Sequence, residues 1–244
     1  MQEYNFNYLD YKKRLKKPIK FNFVFITLVL ILLLGTCVFL NQNKQSFSTY
    51  YFVEVGEYST FSQANKTAIE LSQKSGAGFV YFDKSYHVLA GFYLTQESAK
   101  TVSKNIANEY PNAKIFTLSA AKFSNKKTYS KTENFTLKNM IENNKNLINS
   151  IYQLSLSLDK NELSFNSAIT KILALKDDFV CSQKLFEDTF KNEKIYFNTN
   201  KKLNEICNSL TRLTKSTEQE LKQKIKYELI NITITHTLIL NEIC

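Results

Sequence analysis

The chain has no tryptophan, two prolines and five glycines in 244 residues. Four of the glycines (Gly56, Gly76, Gly78 and Gly91) lie between residues 50 and 118, so tight turns are concentrated there and the rest should be mostly helix with short connections. Hydrophobic residues make up 43% of the sequence, which excludes an intrinsically disordered chain. Arginine occurs at two positions while Asn, Ile and Phe are abundant, a bias typical of an AT-rich genome, so we expect a bacterial protein.

The motifs of common catalytic and metal sites are missing too. There is no HExxH, no cysteine pair at zinc spacing and no Gly-rich phosphate loop. The two histidines, His87 and His236, are far apart in sequence. A nucleophile pair of Cys244 with His236 would be separated by about 12 Å along a helix, too far for direct contact. We therefore expect a protein that is not an enzyme and that holds no cofactor and no metal.

The net charge of +10 does not form a concentrated basic patch. Residues 1–20 carry six basic and two acidic groups, residues 50–118 carry six of each sign, and the excess after residue 118 is spread along the chain. Nucleic-acid binding needs a basic face or stripe, so the charge distribution argues against a nucleic-acid partner.

A membrane-length apolar run follows the basic N-terminus. Residues 21–40 contain no charged side chain, and twenty residues of helix span about 30 Å, the thickness of the hydrocarbon layer. Six basic residues precede the run and only Lys44 follows it closely, so residues 1–20 should lie in the cytoplasm and the rest outside. We predict a single-pass plasma-membrane protein with the lipid bilayer as one partner. The alternatives are a cleaved signal peptide and a lipoprotein signal ending at Cys37.

An internal repeat occupies the segment after the apolar run. Six residues recur at an offset of 35: Tyr51, Val53, Gly56, Tyr58, Thr60 and Ala64 match Tyr86, Val88, Gly91, Tyr93, Thr95 and Ala99. Each copy has an alternating strand pattern, a glycine and then apolar residues at helical spacing. The order is therefore β-α-β-β-α-β, which predicts an α+β fold with one four-stranded antiparallel sheet and both helices on one face. Phe52, Glu54, His87 and Leu89 should then lie on the opposite, open face.

The strings Tyr51-Phe52-Val53-Glu54-Val55-Gly56-Glu57-Tyr58 and Tyr86-His87-Val88-Leu89-Ala90-Gly91-Phe92-Tyr93 resemble the two half-motifs of the SPOR domain family. The resemblance covers residues 50–118 and implies an extracytoplasmic module that binds peptide-stripped peptidoglycan glycan strands at division septa. It implies that the open-face residues Phe52, Glu54, His87 and Leu89 bind the glycan. The alternative is that the open face packs under C-terminal helices and the protein is a structural or adaptor protein without sugar binding.

One residue departs from the family pattern. The family commonly has glutamine where this chain has Glu54, and the glycan carries lactyl carboxylates that a glutamate would repel. At about 5 Å the repulsion is about 1 kcal/mol in a water-like medium and about 3 kcal/mol at an effective dielectric of 20. A protonated His87 would offset part of this charge, and Lys84 and Lys114 could approach the rim.

The C-terminal part has a helical pattern. Residues 119–133 read as a linker, and residues 134–244 carry apolar stripes that predict a three- or four-helix antiparallel bundle. A D-x-x-E capping box at Asp159 to Glu162 predicts the start of the second helix. A later helix carries Leu203 to Leu213 and could continue through Leu229 to the C-terminus. The bundle should engage division or envelope proteins, or a second copy of itself.

Two cysteines of the predicted bundle allow a geometric prediction. Cys181 and Cys207 flank residues 196–200, which we predict to form the turn of a helical hairpin. Such a turn would bring the two sulfurs to similar height, and the extracytoplasmic side permits oxidation, so the pair is a candidate disulfide; two buried thiols are the alternative. The predicted organisation is a basic tail (1–20), a transmembrane helix (21–40), a linker (41–49), a SPOR-like domain (50–118), a second linker (119–133) and a helical bundle (134–244).

Overall fold

The computed structural model describes residues 48–244 of the chain. The predicted tail, the transmembrane span and residues 41–47 of the first linker lie outside this range. Within it, no helix is both long and apolar enough to cross a membrane. The elements in chain order are β1 Ser48–Tyr58, α1 Phe61–Gln73, β2 Phe79–Asp83, β3 Ser85–Tyr93, α2 Gln96–Asn105, β4 Lys114–Ala120, α3 Lys131–Asp159, α4 Phe165–Phe190, α5 Lys194–Thr214 and α6 Glu218–Ile243.

The four strands form one antiparallel sheet in the order β2-β3-β1-β4. The predicted β-α-β-β-α-β order and the α+β class are confirmed for the described residues. The internal repeat also appears in the pairing, because Tyr51 lies opposite Tyr93 and Tyr58 lies opposite Tyr86. The 35-residue offset relates Tyr51 to Tyr86 and Tyr58 to Tyr93, so β1 and β3 exchange equivalent positions across a local two-fold axis.

Each of the two central strands contains one extra residue. The pairing steps from Val53 opposite Gly91 to Glu54 opposite Leu89, which leaves Ala90 unpaired, and then to Gly56 opposite Val88, which leaves Val55 unpaired. These are β-bulges, and they occupy equivalent positions of the repeat. A bulge shifts the two-residue alternation by one, so residues three apart across it face the same side of the sheet.

Helices α1 and α2 lie on one face of the sheet, as predicted. The threonines Thr60 and Thr95, which are repeat equivalents, each cap a helix by accepting a hydrogen bond from the backbone N–H three residues on. Beneath α1, Val55 and Val88 of the sheet form a small core with Ala64, Ala68 and Leu71. The shared cap and core positions explain why the two halves of the repeat adopt the same local structure.

The other sheet face is not open, which corrects the prediction made from the repeat alone. Helix α6 lies against β4, β3 and β2 on that face. Phe79 contacts Tyr227 with ring centroids 4.8 Å apart, and Tyr50 contacts His236 at 6.1 Å. The apolar residues of this sheet face belong to the same continuous core as the C-terminal helices. Residues 50–118 and 134–244 are therefore two chain segments that share one core.

Helices α3 to α6 form a four-helix bundle, in agreement with the sequence prediction, but two boundaries differ. Asp159 is the last residue of α3 and does not start a helix, because Ser164 caps α4 by accepting from the Ser167 N–H. Helix α5 ends at Thr214 and α6 begins at Glu218, so the predicted continuous C-terminal helix is wrong.

The second linker is shorter than predicted and is fixed by a buried side chain. Strand β4 extends to Ala120 and α3 begins at Lys131. Asn134 accepts a hydrogen bond from the Lys126 N–H and donates to the backbone carbonyls of Lys126, Tyr129 and Ser130. Because one amide side chain satisfies several backbone groups of this connection, the chain reverses direction here without regular structure.

The candidate disulfide between Cys181 and Cys207 is corrected by the structure. Both are free thiols, as is Cys244, among the cysteines of the described range. The predicted turn at 196–200 is part of α5, and the helices reverse direction before it, at 191–193. Cys181 then lies eleven residues before Asn192 and Cys207 fifteen after it. The four-residue difference displaces the two sulfurs by about 6 Å along the helices, one helical turn.

Residues 228–240 of α6 are buried on almost every side, although the sequence around residues 230–237 alternates like a strand. Two of its buried threonines satisfy their hydroxyls within the helix, since Thr233 donates to the Leu229 carbonyl at 2.8 Å and Thr237 to the Thr233 carbonyl at 2.9 Å. Arg212 of α5 forms a two-pronged ion pair with the buried carboxylate of Glu228, at 2.6 and 2.8 Å. These polar contacts allow the sheet, α3 and α5 to surround α6.

His236 of α6 makes the stability of the fold dependent on pH. Within residues 48–244 neither ring nitrogen has a hydrogen-bond partner. Burial lowers the pKa of His236 from 6.5 to about 3, and Lys145 of α3 acts in the same direction. Between these values the unfolded chain binds a proton that the folded chain does not, so stability is full above pH 6.5 and declines as the pH falls towards 3.

We expect the free energy of unfolding to fall by up to about 1.4 kcal/mol per pH unit below pH 6.5 because of this one side chain. Urea unfolding at pH 7.5, 6.0 and 5.0 measures the slope. In His236→Leu the unfolding free energy should depend less steeply on pH, because the unfolded chain no longer takes up a proton at this position. Equal slopes in the two proteins would contradict the assignment to His236.

Candidate functional site

The structure divides the four predicted site residues between two environments. Phe52 and Leu89 are completely buried under the C-terminal helices, each with 0% of its surface exposed. Glu54 and His87 lie on the same sheet face beside Leu89, which pairs with Glu54, but on the side where Tyr81 and Phe116 are only half-buried. Phe52 and Leu89 therefore cannot contact a ligand in this arrangement, whereas the surroundings of Glu54 and His87 reach the surface.

Five polar side chains meet at this second place and are called here the carboxylate cluster: Glu54, Glu57, Ser85, His87 and Lys114. The β1 bulge brings its two acids together. In a regular strand, residues three apart face opposite sides, but the extra residue Val55 places both Glu54 and Glu57 on the face of His87. Glu57 lies directly opposite His87 in the β1–β3 ladder, and Lys114 lies opposite Glu54 in the β1–β4 ladder.

The distances in the carboxylate cluster are short. Lys114 Nζ lies 3.0 Å from Glu57 Oε2 and 3.4 Å from Glu54 Oε1. His87 Nδ1 lies 3.3 Å from Glu54 Oε2. Ser85 Oγ lies 2.7 Å from Glu57 Oε1 and 3.1 Å from His87 Nε2. The Ser85 hydroxyl therefore links Glu57 to His87, and the Lys114 ammonium links Glu57 to Glu54.

The two carboxylates differ in how well they are satisfied. The hydrogen bond from Ser85, followed by that from Lys114, holds the pKa of the exposed Glu57 below its ordinary value. The Glu57 carboxylate in turn raises the pKa of Lys114. Glu54 is buried, and among the described residues neither of its oxygens nor His87 Nδ1 has a partner with hydrogen-bond geometry. Its contacts with Lys114 and His87 are within ion-pair distance but are poorly aligned, so Glu54 is the less satisfied acid.

Two aromatic rings border the cluster. Phe116 lies 4.9 Å from the His87 ring and 5.6 Å from Tyr81, measured between centroids, and Tyr81 lies 6.4 Å from His87. Burial, and then the charge of Asp83, raise the pKa of the Tyr81 phenol. The rings exclude water from one side of the carboxylate cluster, which strengthens the electrostatic interactions inside it.

Sequence reasoning found part of this site. It placed Glu54 beside His87 and expected Lys114 to approach, and the structure brings these three residues together. Lys84, the other expected lysine, takes part in none of the ion pairs formed within residues 48–244. Glu57 and Ser85 were missed because a two-residue alternation assigns Glu57 to the wrong face. The Val-Gly pair between the two glutamates was the available signal for a bulge.

A cavity of about 390 Å³ lies elsewhere, at the junction of the sheet, α2 and the bundle. Its walls include Gly91, Tyr93, Tyr152, Asp159 and Lys226. Asp159 and Lys226 form an ion pair of 3.0 Å across it. This pairing satisfies both charges, so the junction cavity offers fewer uncompensated polar groups than the carboxylate cluster.

No family model, curated protein or solved structure matches this chain.

Burial of Phe52 predicts a large loss of stability when its ring is removed. We expect Phe52→Ala to lower the free energy of unfolding by about 3–5 kcal/mol, because it leaves a cavity between the sheet and α6. Phe82→Ala is the matched control, since Phe82 lies on the edge strand β2 of the same sheet and is 60% exposed. Its effect should be below about 0.5 kcal/mol. Guanidinium unfolding measures both, and a change below about 1 kcal/mol in Phe52→Ala would show that the face is not packed as described.

Proposed function

We propose that the chain is a single-pass envelope protein that works as a structural or adaptor protein, with its SPOR-like sheet docked on its own helical bundle. Its N-terminus lies in the cytoplasm and residues 48–244 lie outside. The apolar run at 21–40 and the basic residues before it support this topology. The work proposed is binding and not chemistry.

The observation that carries the proposal is the complete burial of Phe52 and Leu89 by residues of the same chain. A glycan strand lying across this sheet face would have to displace α6. Exposing one buried Phe or Leu side chain costs about 1.5–3 kcal/mol, and α6 would expose many such groups at once. The sheet face therefore serves the internal contact, and the surfaces left for partners belong to the rest of the molecule.

The bundle supplies an apolar surface suited to a protein partner. Phe135 at the start of α3 is 62% exposed and Phe197 at the start of α5 is 77% exposed. Both belong to the end of the bundle where α4 finishes, as the contact between Thr136 and Thr189 and the Phe186–Tyr196 ring pair show. Large apolar side chains grouped at a surface are typical of contact sites with other proteins, so division or envelope proteins are the proposed partners at this end.

A second candidate is glycan binding at the uncovered end of the sheet face. The half-buried rings of Tyr81 and Phe116 could stack on sugar rings, and Lys114 could pair with a lactyl carboxylate. Against it stand the two acids Glu54 and Glu57, and Lys114 is already paired with both of them. The candidate keeps Glu54 and His87 in the site but removes Phe52 and Leu89 from it.

Exposed Cys181 tests the topology directly. A membrane-impermeant maleimide added to intact spheroplasts should label it, and Cys181→Ser and Cys244→Ser together should remove most of the signal. A cysteine placed in the basic tail by Lys13→Cys should react only after the membrane is permeabilised. Labelling of the tail and not of Cys181 in intact spheroplasts would invert the orientation.

Sedimentation with amidase-treated sacculi separates the two functions. The full chain, purified in detergent, should stay in the supernatant, and Glu54→Gln should not change this, because Phe52 and Leu89 remain covered. The second candidate would be established instead by a different result. In that case the wild type sediments with the sacculi, Tyr81→Ala and Phe116→Ala abolish this retention, and the Phe82→Ala control keeps it. Retention unaffected by any of the three would place glycan binding away from the sheet and overturn both assignments.

A further inference from the structure

The carboxylate cluster has the arrangement of a site that a second cation would stabilise. Ser85 has a single hydroxyl proton, and at 2.7 Å from Glu57 Oε1 this proton is donated to the carboxylate. The Ser85 oxygen must then accept a hydrogen bond from His87 Nε2–H, 3.1 Å away. In the neutral imidazole this leaves the lone pair of Nδ1 facing Glu54 Oε2 at 3.3 Å. A lone pair and a carboxylate oxygen repel each other unless a proton or a metal ion lies between them.

Lys114 does not remove this need. Its ammonium contacts both Glu54 and Glu57, but its side chain is 54% exposed and reaches the Glu54 oxygen only at 3.4 Å. The buried Glu54 oxygens and His87 Nδ1 lack hydrogen-bond partners within residues 48–244. Buried charge without aligned partners is costly, so a ligand that satisfies all of these atoms would be stabilising.

We propose that the carboxylate cluster binds one divalent transition-metal ion through His87 Nδ1 and the carboxylates of Glu54 and Glu57. One ligand atom from each residue lies within 4.8 Å of the others. Metal–oxygen and metal–nitrogen bonds are about 2.0–2.2 Å long, so opposite ligands stand at most about 4.4 Å apart and the three atoms must close slightly on the ion. Glu57 is exposed and has room to make this movement.

The surrounding residues suit a metal ligand set. Ser85 accepts from the distal N–H of His87, which fixes the tautomer that presents Nδ1 to the ion. Phe116 lies against the His87 ring and restricts its rotation. Lys114 occupies the position where the ion would neutralise the acids, and it must move outward when the ion binds. Metal and ammonium therefore compete for the same two carboxylates.

The ligand atoms select the kind of ion. Imidazole nitrogen with two carboxylates suits zinc and its first-row neighbours, whereas calcium and magnesium prefer sites made only of oxygen. Three protein ligands leave at least one coordination position for water or for a group of a partner molecule. Zn²⁺ is therefore the probe of choice, and Co²⁺ gives a visible spectrum that reports coordination directly.

Metal-stripped, untagged full-length protein should bind one Zn²⁺ per chain by isothermal titration calorimetry at pH 7.5, with a rise in melting temperature. Glu54→Gln, Glu57→Gln and His87→Ala should each weaken binding at least about 100-fold, more than the 10–100-fold typical of losing an outer-shell partner. Lys114→Ala should bind about tenfold more tightly, which corresponds to about 1.4 kcal/mol, because the competing ammonium is gone. Tighter binding on removing Lys114 is a result that a merely structural ion pair would not produce.

Two controls keep the result interpretable. Zn²⁺ also binds thiolates, so all variants are made in a background in which the four cysteines are serine. His236→Leu and Glu142→Gln lie outside the cluster and should bind as the background protein does. Glu57 is exposed, so Glu57→Gln tests the ligand set even if a change at buried Glu54 prevents folding. Two results would overturn the proposal. One is that neither the background protein nor Lys114→Ala binds Zn²⁺ one-to-one. The other is that binding persists in Glu57→Gln and His87→Ala.

Discussion

The antiparallel pairing of β1 with β3, with one extra residue in each strand, determines which side chains share a sheet face. Because the two bulges occupy equivalent positions of the repeat, each strand changes its alternation at the centre of the sheet. On one side of the local two-fold axis this places Phe52 opposite Phe92, and on the other it places Glu57 opposite His87. One duplicated backbone thus presents an apolar half and a polar half on a single surface.

The two halves have different uses in the molecule. The apolar half is the floor on which α6 packs, and through α6 it joins the core of the whole bundle. The polar half stays beyond the reach of α6 and keeps Tyr81 and Phe116 partly accessible. A duplication that had remained symmetrical would have placed either a charged pair under the bundle, at a high desolvation cost, or an apolar pair in solvent. Divergence of the copies at positions 52, 57, 87 and 92 avoids both.

Much of this architecture follows from local signals in the sequence. The 35-residue repeat and the apolar stripes of the C-terminal helices predicted the order of the elements correctly, because periodicity acts within a few residues. Three features escaped. The bulges invert the facing of Glu57, the tight reversal at 191–193 replaced the expected one at 196–200, and the burial of Phe52 depends on α6, more than 160 residues away in the chain. The burial of Phe52 depends on tertiary packing, which residue patterns do not encode, whereas the bulge has a local signal in the Val-Gly pair that follows Glu54.

The central position of α6 has a consequence for how the polypeptide reaches its final state. It is the last element in chain order, yet it completes contacts with the sheet, with α3 and with α5. While residues 218–243 are still being synthesised, the earlier strands and helices lack the partner they all share. Their apolar surfaces stay exposed to misassociation until α6 packs, so completion of the fold falls late in the synthesis of the described residues.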